Sequence, residues 1–128
     1  MSEPFLSELR IMAFNFNTLA PYLGATGDAL INVDENTTGA DDFAGQLLLY
    51  AAEVIAAVNE DESLPELPQV LKNGVTDKIS GIARVSLIVA SSILTVAQFQ
   101  TTGDAAKALK YVNQAIRLLL SGAPVPQA

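Results

Sequence analysis

The chain has 128 residues, half of them hydrophobic, with a net charge of −7. That length suits one domain, 1–128, able to bury a core of its own. It contains no Cys and no His, which removes disulfides, thiolate or His-ligated metal sites, thiol catalysis and any Ser-His or Cys-His pair.

The charge is unevenly spread. Residues 1–71 carry twelve acidic side chains against Arg10 alone, whereas residues 72–128 carry six basic ones against Asp77 and Asp104. A phosphate backbone calls for a dense basic patch, and six scattered cations do not form one, so no nucleic acid is expected as a partner. The asymmetry can guide how the two halves, or two copies, meet. The plainer alternative is a set of solvated faces. The chain opens on acidic residues rather than a basic stretch before an apolar run, so a cytoplasmic protein without a targeting signal is expected.

The first element is "SEPFLSELRIMAFNF", residues 2–16. As a helix it places Phe5, Leu9, Met12, Phe16, Leu19 and Leu23 at alternating spacings of four and three, a heptad-like seam. Ser2 can cap it, and Pro4 is tolerated in a first turn. As a strand, Leu9, Ile11 and Ala13 alternate with Arg10, Met12 and Phe14. The segment "EPFLSELRIMAFNF" also resembles the opening of phage tail-collar domain proteins, the group that includes microcystin-dependent-type proteins. The resemblance covers about residues 3–16 and implies an extended segment and a phage or prophage setting. The family's following Gly-Trp and Cys-Asn-Gly turns have no counterpart, since this chain has neither Trp nor Cys. No functional residue is carried over. The seam and the helical remainder favour a helix here.

Residues 17–40 are rich in Gly, Asn, Thr and Asp, and a loop with one short helical turn near residues 19–23 is expected. From Asp41 to about Asn59 the pattern becomes helical: Phe43, Leu47, Tyr50 or Ala51, Val54 and Val58 recur at helical spacing, widened by Leu48, Ala52 and Ile55. Asp41 or Asp42 can cap the start. "NEDESLPELP" ends this helix as a solvated connector. One or two turns follow, with Leu67, Val70 and Leu71 inward and Gly74 closing them.

The next helix is expected over residues 76–100, capped by Thr76. Ile79, Ile82, Val85, Leu87, Ile88, Val89, Ile93, Leu94, Val96 and Phe99 surround nearly its whole circumference. A helix that is apolar on every side is buried on every side, so this one is expected at the centre. Its apolar core, residues 85–99, falls short of the roughly 20 residues of a membrane span, and no membrane is expected. The last helix begins at Asp104 with Ala108, Leu109, Val112, Ala115, Ile116 and Leu119 as its buried stripe. Gly122 and Pro124 stop it, and 123–128 is expected to fray.

Several constellations invite a chemical reading. Asp34, Asn36 and Thr38 alternate before Gly39, as in the first half of a calcium loop, with Asp41 and Asp42 beyond. The twelfth position, a bidentate Glu in such loops, is Gly45. The alternative is an Asx-rich loop leading into a helix cap. Residues 36–38, "NTT", match a glycosylation acceptor without a secretory signal to bring it into play. Glu60 and Glu62 lie in the connector, where solvated carboxylates are expected rather than acid–base work. Glu53 sits among Ala, Val and Ile, and a structural ion pair with a Lys or Arg of the long apolar helix, Arg84 being one candidate, is expected rather than catalysis. Lys107, Lys110 and Tyr111 share one face of the last helix, either as a contact for an acidic partner or as an exposed face. "GATGDA", residues 24–29, lacks the Lys and preceding strand of a phosphate loop.

These observations predict an all-α protein, an antiparallel bundle of about four helices with a buried central helix. No catalytic, cofactor-binding or metal residue is assigned, no cofactor is expected, and the protein is expected not to be an enzyme. A non-enzymatic interaction or assembly domain that homodimerises to bury surplus apolar surface is the leading expectation. A bundle holding a small apolar ligand is the alternative.

Overall fold

A computed structural model describes residues 19–31 and 39–128. The expected opening helix at 2–16 lies outside the described residues. The first described helix, α1, covers residues 19–31, where the sequence predicts a loop with one short turn. Gly24, Thr26, Gly27 and Asp28 are poor helix formers, and packing overrides them. Ala20, Leu23, Gly27 and Leu30 form a buried stripe at three-and-four spacing.

That stripe lies on α2, Gly39–Asn59. At the crossing the two backbones nearly touch. A methyl group on Gly27 would sit 2.7 Å from the Gly45 carbonyl oxygen, and one on Gly45 would sit 2.6 Å from Cγ1 of Ile31. Glycine at both positions is therefore a packing requirement, and the favourable contact offsets the helix propensity that each glycine forfeits.

Helix α2 is the buried centre of the bundle. Thirteen of its 21 residues are buried, including Phe43, Leu47, Leu48, Val54 and Ile55, and it contacts every later helix. Its C-terminus closes through Asp61, which takes the left-handed conformation (φ 54) usually left to glycine. The Glu62 amide donates to the Ala57 carbonyl at 2.8 Å, the long closing bond of a Schellman turn.

The connector then runs to the one-turn helix α3, Gln69–Lys72. Leu71 is buried as expected and Leu67 half-buried, but Val70 faces solvent. Beyond Gly74 (φ +70), Val75 forms an antiparallel bridge with Val125, amide to carbonyl in both directions at 2.9 Å. The Ala128 amide also donates to the Lys72 carbonyl at 3.0 Å. The tail expected to fray is thus tied down, with Val125 buried.

The bridge holds Val75 extended, so α4 starts later than the sequence predicts, at Gly81 rather than Thr76, and runs Gly81–Phe99. Ser80 is its cap, its Oγ accepting from the Ala83 amide at 3.2 Å. The Ser80 amide donates to Oδ1 of Asp41 at 2.8 Å, so the acid at the start of α2 fastens the start of α4.

Helix α5, Gly103–Ser121, follows after residues 100–102, a connection short enough to make α4 and α5 antiparallel neighbours. Leu109, Val112, Ala115, Ile116 and Leu119 are buried as the sequence predicts. Gly122 (φ 80) ends the helix in the left-handed conformation.

The architecture is an all-α bundle. Its central helix is α2 and not the one the sequence predicts. Only Ala83, Leu87, Ala90, Leu94 and Ala97 of α4 are buried.

Candidate functional site

The outer face of α4 stands out because its chemistry is that of a core. At about 100° per residue, the buried stripe and the outward side chains point in nearly opposite directions. Ile82, Val85, Ile88, Val89, Val96 and Phe99 all face water, Ile82 at 65%, Val85 at 63% and Phe99 at 82% exposure. The residue types largely sort by side: Ala and Leu face the bundle, and the β-branched apolar residues with Phe99 face out, except Ile93, which is half-buried against the core.

Polar contacts with α5 help fix which side of α4 turns outward. Near one end, Arg84 Nη1 donates to the Leu120 carbonyl at 2.8 Å. Near the other, Asn113 Nδ2 donates to Gln98 Oε1 at 2.8 Å and to the Leu94 carbonyl at 3.4 Å. Asn113 is buried, and its Oδ1 has no hydrogen-bond partner among the described residues. The role of Asn113 is not legible in the sequence, because it interrupts an otherwise apolar stripe.

The outer face also has its hydroxyls satisfied. Thr95 Oγ1 donates to the Ser91 carbonyl at 2.8 Å, and Ser92 Oγ to the Ile88 carbonyl at 3.5 Å. Both bonds stay within the helix. Covering this face therefore orphans neither hydroxyl proton, which is the usual obstacle to burying Ser or Thr.

Among the described residues α4 is also the one helix long and apolar enough, by length and composition, to cross a membrane. Its 19 residues exceed the 85–99 run judged too short from sequence. Its inner stripe is nonetheless fully buried against the bundle.

The sequence-derived candidates do not converge. Of the calcium-loop residues, 34–38 lie outside the described residues, as does the "NTT" acceptor. Asp41 is only 2% exposed and serves the Ser80 amide, and Asp42 is half-buried. Among the described residues no three acidic side chains gather closely enough to hold a metal ion. Residues 24–29 lie inside α1 and form no loop.

Glu53 is exposed on the rim of an open cleft of about 600 Å³ between α1 and α2, floored by Ala20, Gly24 and Ala52. Its candidate partner, Arg84, is engaged with α5 instead. A second cleft, about 410 Å³, brings Tyr50 and Tyr111 together with Asp104 and Lys107. Tyr111 Oη donates to the Leu71 carbonyl at 3.4 Å. Lys107 and Lys110 are exposed.

Burial raises the Tyr50 hydroxyl above its ordinary pKa of 10.0, and the Glu53 carboxylate adds to the rise. Burial likewise raises Tyr111, with Tyr50 adding to it. Both phenols therefore stay protonated at neutral pH, the wrong state for a base. In the connector, a hydrogen bond with Glu60 and then its charge raise the exposed Glu62.

No family model, no curated protein and no solved structure matches the chain.

Proposed function

We propose that the protein is a non-enzymatic interaction or assembly domain whose contact surface is the outer face of α4. The observation that carries this reading is the row of large apolar side chains on a single helix, exposed by 41–82%. Soluble chains rarely leave such a row uncovered unless it is used. Fixing α4 through Arg84, Gln98 and Asn113 presents the row as a rigid surface, which reduces the ordering cost of docking. The resemblance of residues 3–16 to the opening of tail-collar proteins supports a phage or prophage setting. One cleft lined by the open carboxylates of Glu53 and Glu60 and another lined by protonated Tyr50 and Tyr111 offer little to a chemical reaction.

The test is photo-crosslinking in the cells that make the protein, from a reactive residue replacing Val96 and, as a control, Glu66. Adducts with a polypeptide from position 96 but not from position 66 are expected. A lipid adduct, or none at position 96, overturns the reading. The ligand-binding alternative rests on the cleft between α1 and α2. Native mass spectrometry separates the two, because that reading requires a small bound mass on a protomer with an uncovered α4.

A further inference from the structure

Resting on that reading, we infer that the chain covering α4 is a second copy of this protein, with the two α4 helices antiparallel across a two-fold axis. Ile82 of one copy then faces Phe99 of the other, Val85 faces Val96, and Val89 faces Ser92.

The spacing comes first. Ile82, Val85, Val89, Ser92, Val96 and Phe99 step by three and four along the whole helix, the repeat of a two-helix seam. Three of these intervals are threes and two are fours, alternating, so the row reads the same from either end. A surface that meets its own reverse in register is what a two-fold interface demands. At mid-helix the small Ser92 lies against Val89, so the backbones can approach closely there. At each end the largest and most exposed side chain, Phe99, covers Ile82.

Charge selects the direction. The outer row holds no ionised group, and Arg84 on its flank is the one charged residue of α4. Parallel helices would set the two Arg84 side chains beside each other. Antiparallel helices separate them and bring each to the carbonyl end of the opposite α4, where the helix dipole favours a cation.

Charge also argues against a lipid surface as the occupant. Helices that lie on membranes carry several Lys or Arg along the polar border. Here there is one, on a chain of net charge −7. The six outward side chains offer on the order of 600 Å² of apolar surface per copy, near the roughly 800 Å² per partner of a standard interface.

The chain has no Cys, so introduced thiols are unique. Ile82→Cys and Phe99→Cys are made separately, mixed, and oxidised gently. The expected product is a disulfide-linked dimer joining position 82 to position 99, formed by the mixture and by neither variant alone. A dimer formed by Ile82→Cys alone makes the helices parallel and overturns the arrangement. Val89→Arg is expected to weaken wild-type association by about a hundredfold while the diluted protomer melts unchanged.

Monomer mass for the unmodified protein at high micromolar concentration overturns the second copy. So does an internal crosslink from α4 to residues 2–16. With a different polypeptide crosslinked at position 96, either result leaves the interaction surface standing and removes only the self-pairing. A lipid adduct at position 96 removes both.

Discussion

Helices α2 and α4 look alike as strings of letters and occupy opposite situations in the protein. Both are about twenty residues long and apolar on most sides. Around α2 the bundle closes: α1 seals one side through the Gly27–Gly45 crossing, and α3, α4 and α5 contact the rest. Around α4 the described residues do not close, and five residues of 19 are buried. Apolar residues all round a helix therefore report that every side wants cover, not that the same chain provides it. In α2 that demand is met at folding. In α4 half of it is left unmet within the described bundle.

The sharpest way to break this contrast is truncation in each helix. Leu48→Ala in α2 should cost about 2–5 kcal/mol, as buried leucines do, whereas Val89→Ala in α4 should stay within about 0.5 kcal/mol in the dilute protomer. Urea unfolding at low protein concentration measures both, and equal losses would show α4 to be covered from within. Next in size is the crossing that seals α2. Gly27→Ala should lose about 1–3 kcal/mol through the clash with the Gly45 carbonyl. Gly81→Ala, which meets open space at the start of α4, should instead gain about 0.4–1 kcal/mol. Thermal melts of the two variants should move in opposite directions.

A smaller effect sharpens the link between the helices. Ser80→Ala removes the cap of α4 and should cost about 1 kcal/mol, read as earlier hydrogen exchange in the first turn of α4 with α2 unaffected. The smallest effect is alkaline. Tyr50 and Tyr111 are raised above 10.0 in the folded chain, so the unfolded chain loses its phenolic protons first. Their contribution to stability is complete below pH 10.0 and declines as the pH climbs through the folded values. A Tyr50→Phe, Tyr111→Phe double variant should flatten that decline, on top of a pH-independent loss of about 0.5–1.5 kcal/mol for the bond from Tyr111 to the Leu71 carbonyl.

Much of the fold was legible in the sequence where polar and apolar residues alternate with helical period. In α5, Lys107, Lys110 and Arg117 mark the wet side, the opposite stripe is buried, and Gly122 supplies the stop. Helix α1 was illegible because its glycines argue locally for a loop, while the backbone contact that keeps them helical involves Gly45, eighteen positions beyond Gly27. The start of α4 was misplaced for a similar reason. Thr76 and Ser80 are both credible caps, and the choice falls to a bridge with Val125 fifty residues away. The outer surface of α4 was visible as apolarity, but its exposure was not, because exposure depends on where neighbouring helices end.

The Val75–Val125 bridge also bears on how the chain is made. A ribosome releases residue 75 well before residue 125, so the linker ahead of α4 has no strand partner until α5 is out. Through that interval α4 lacks α5 as well, leaving its leucine side covered only in part, by α2, and its valine side bare. The nascent chain is thus most adhesive late in synthesis, when a holding chaperone would find its longest greasy segment.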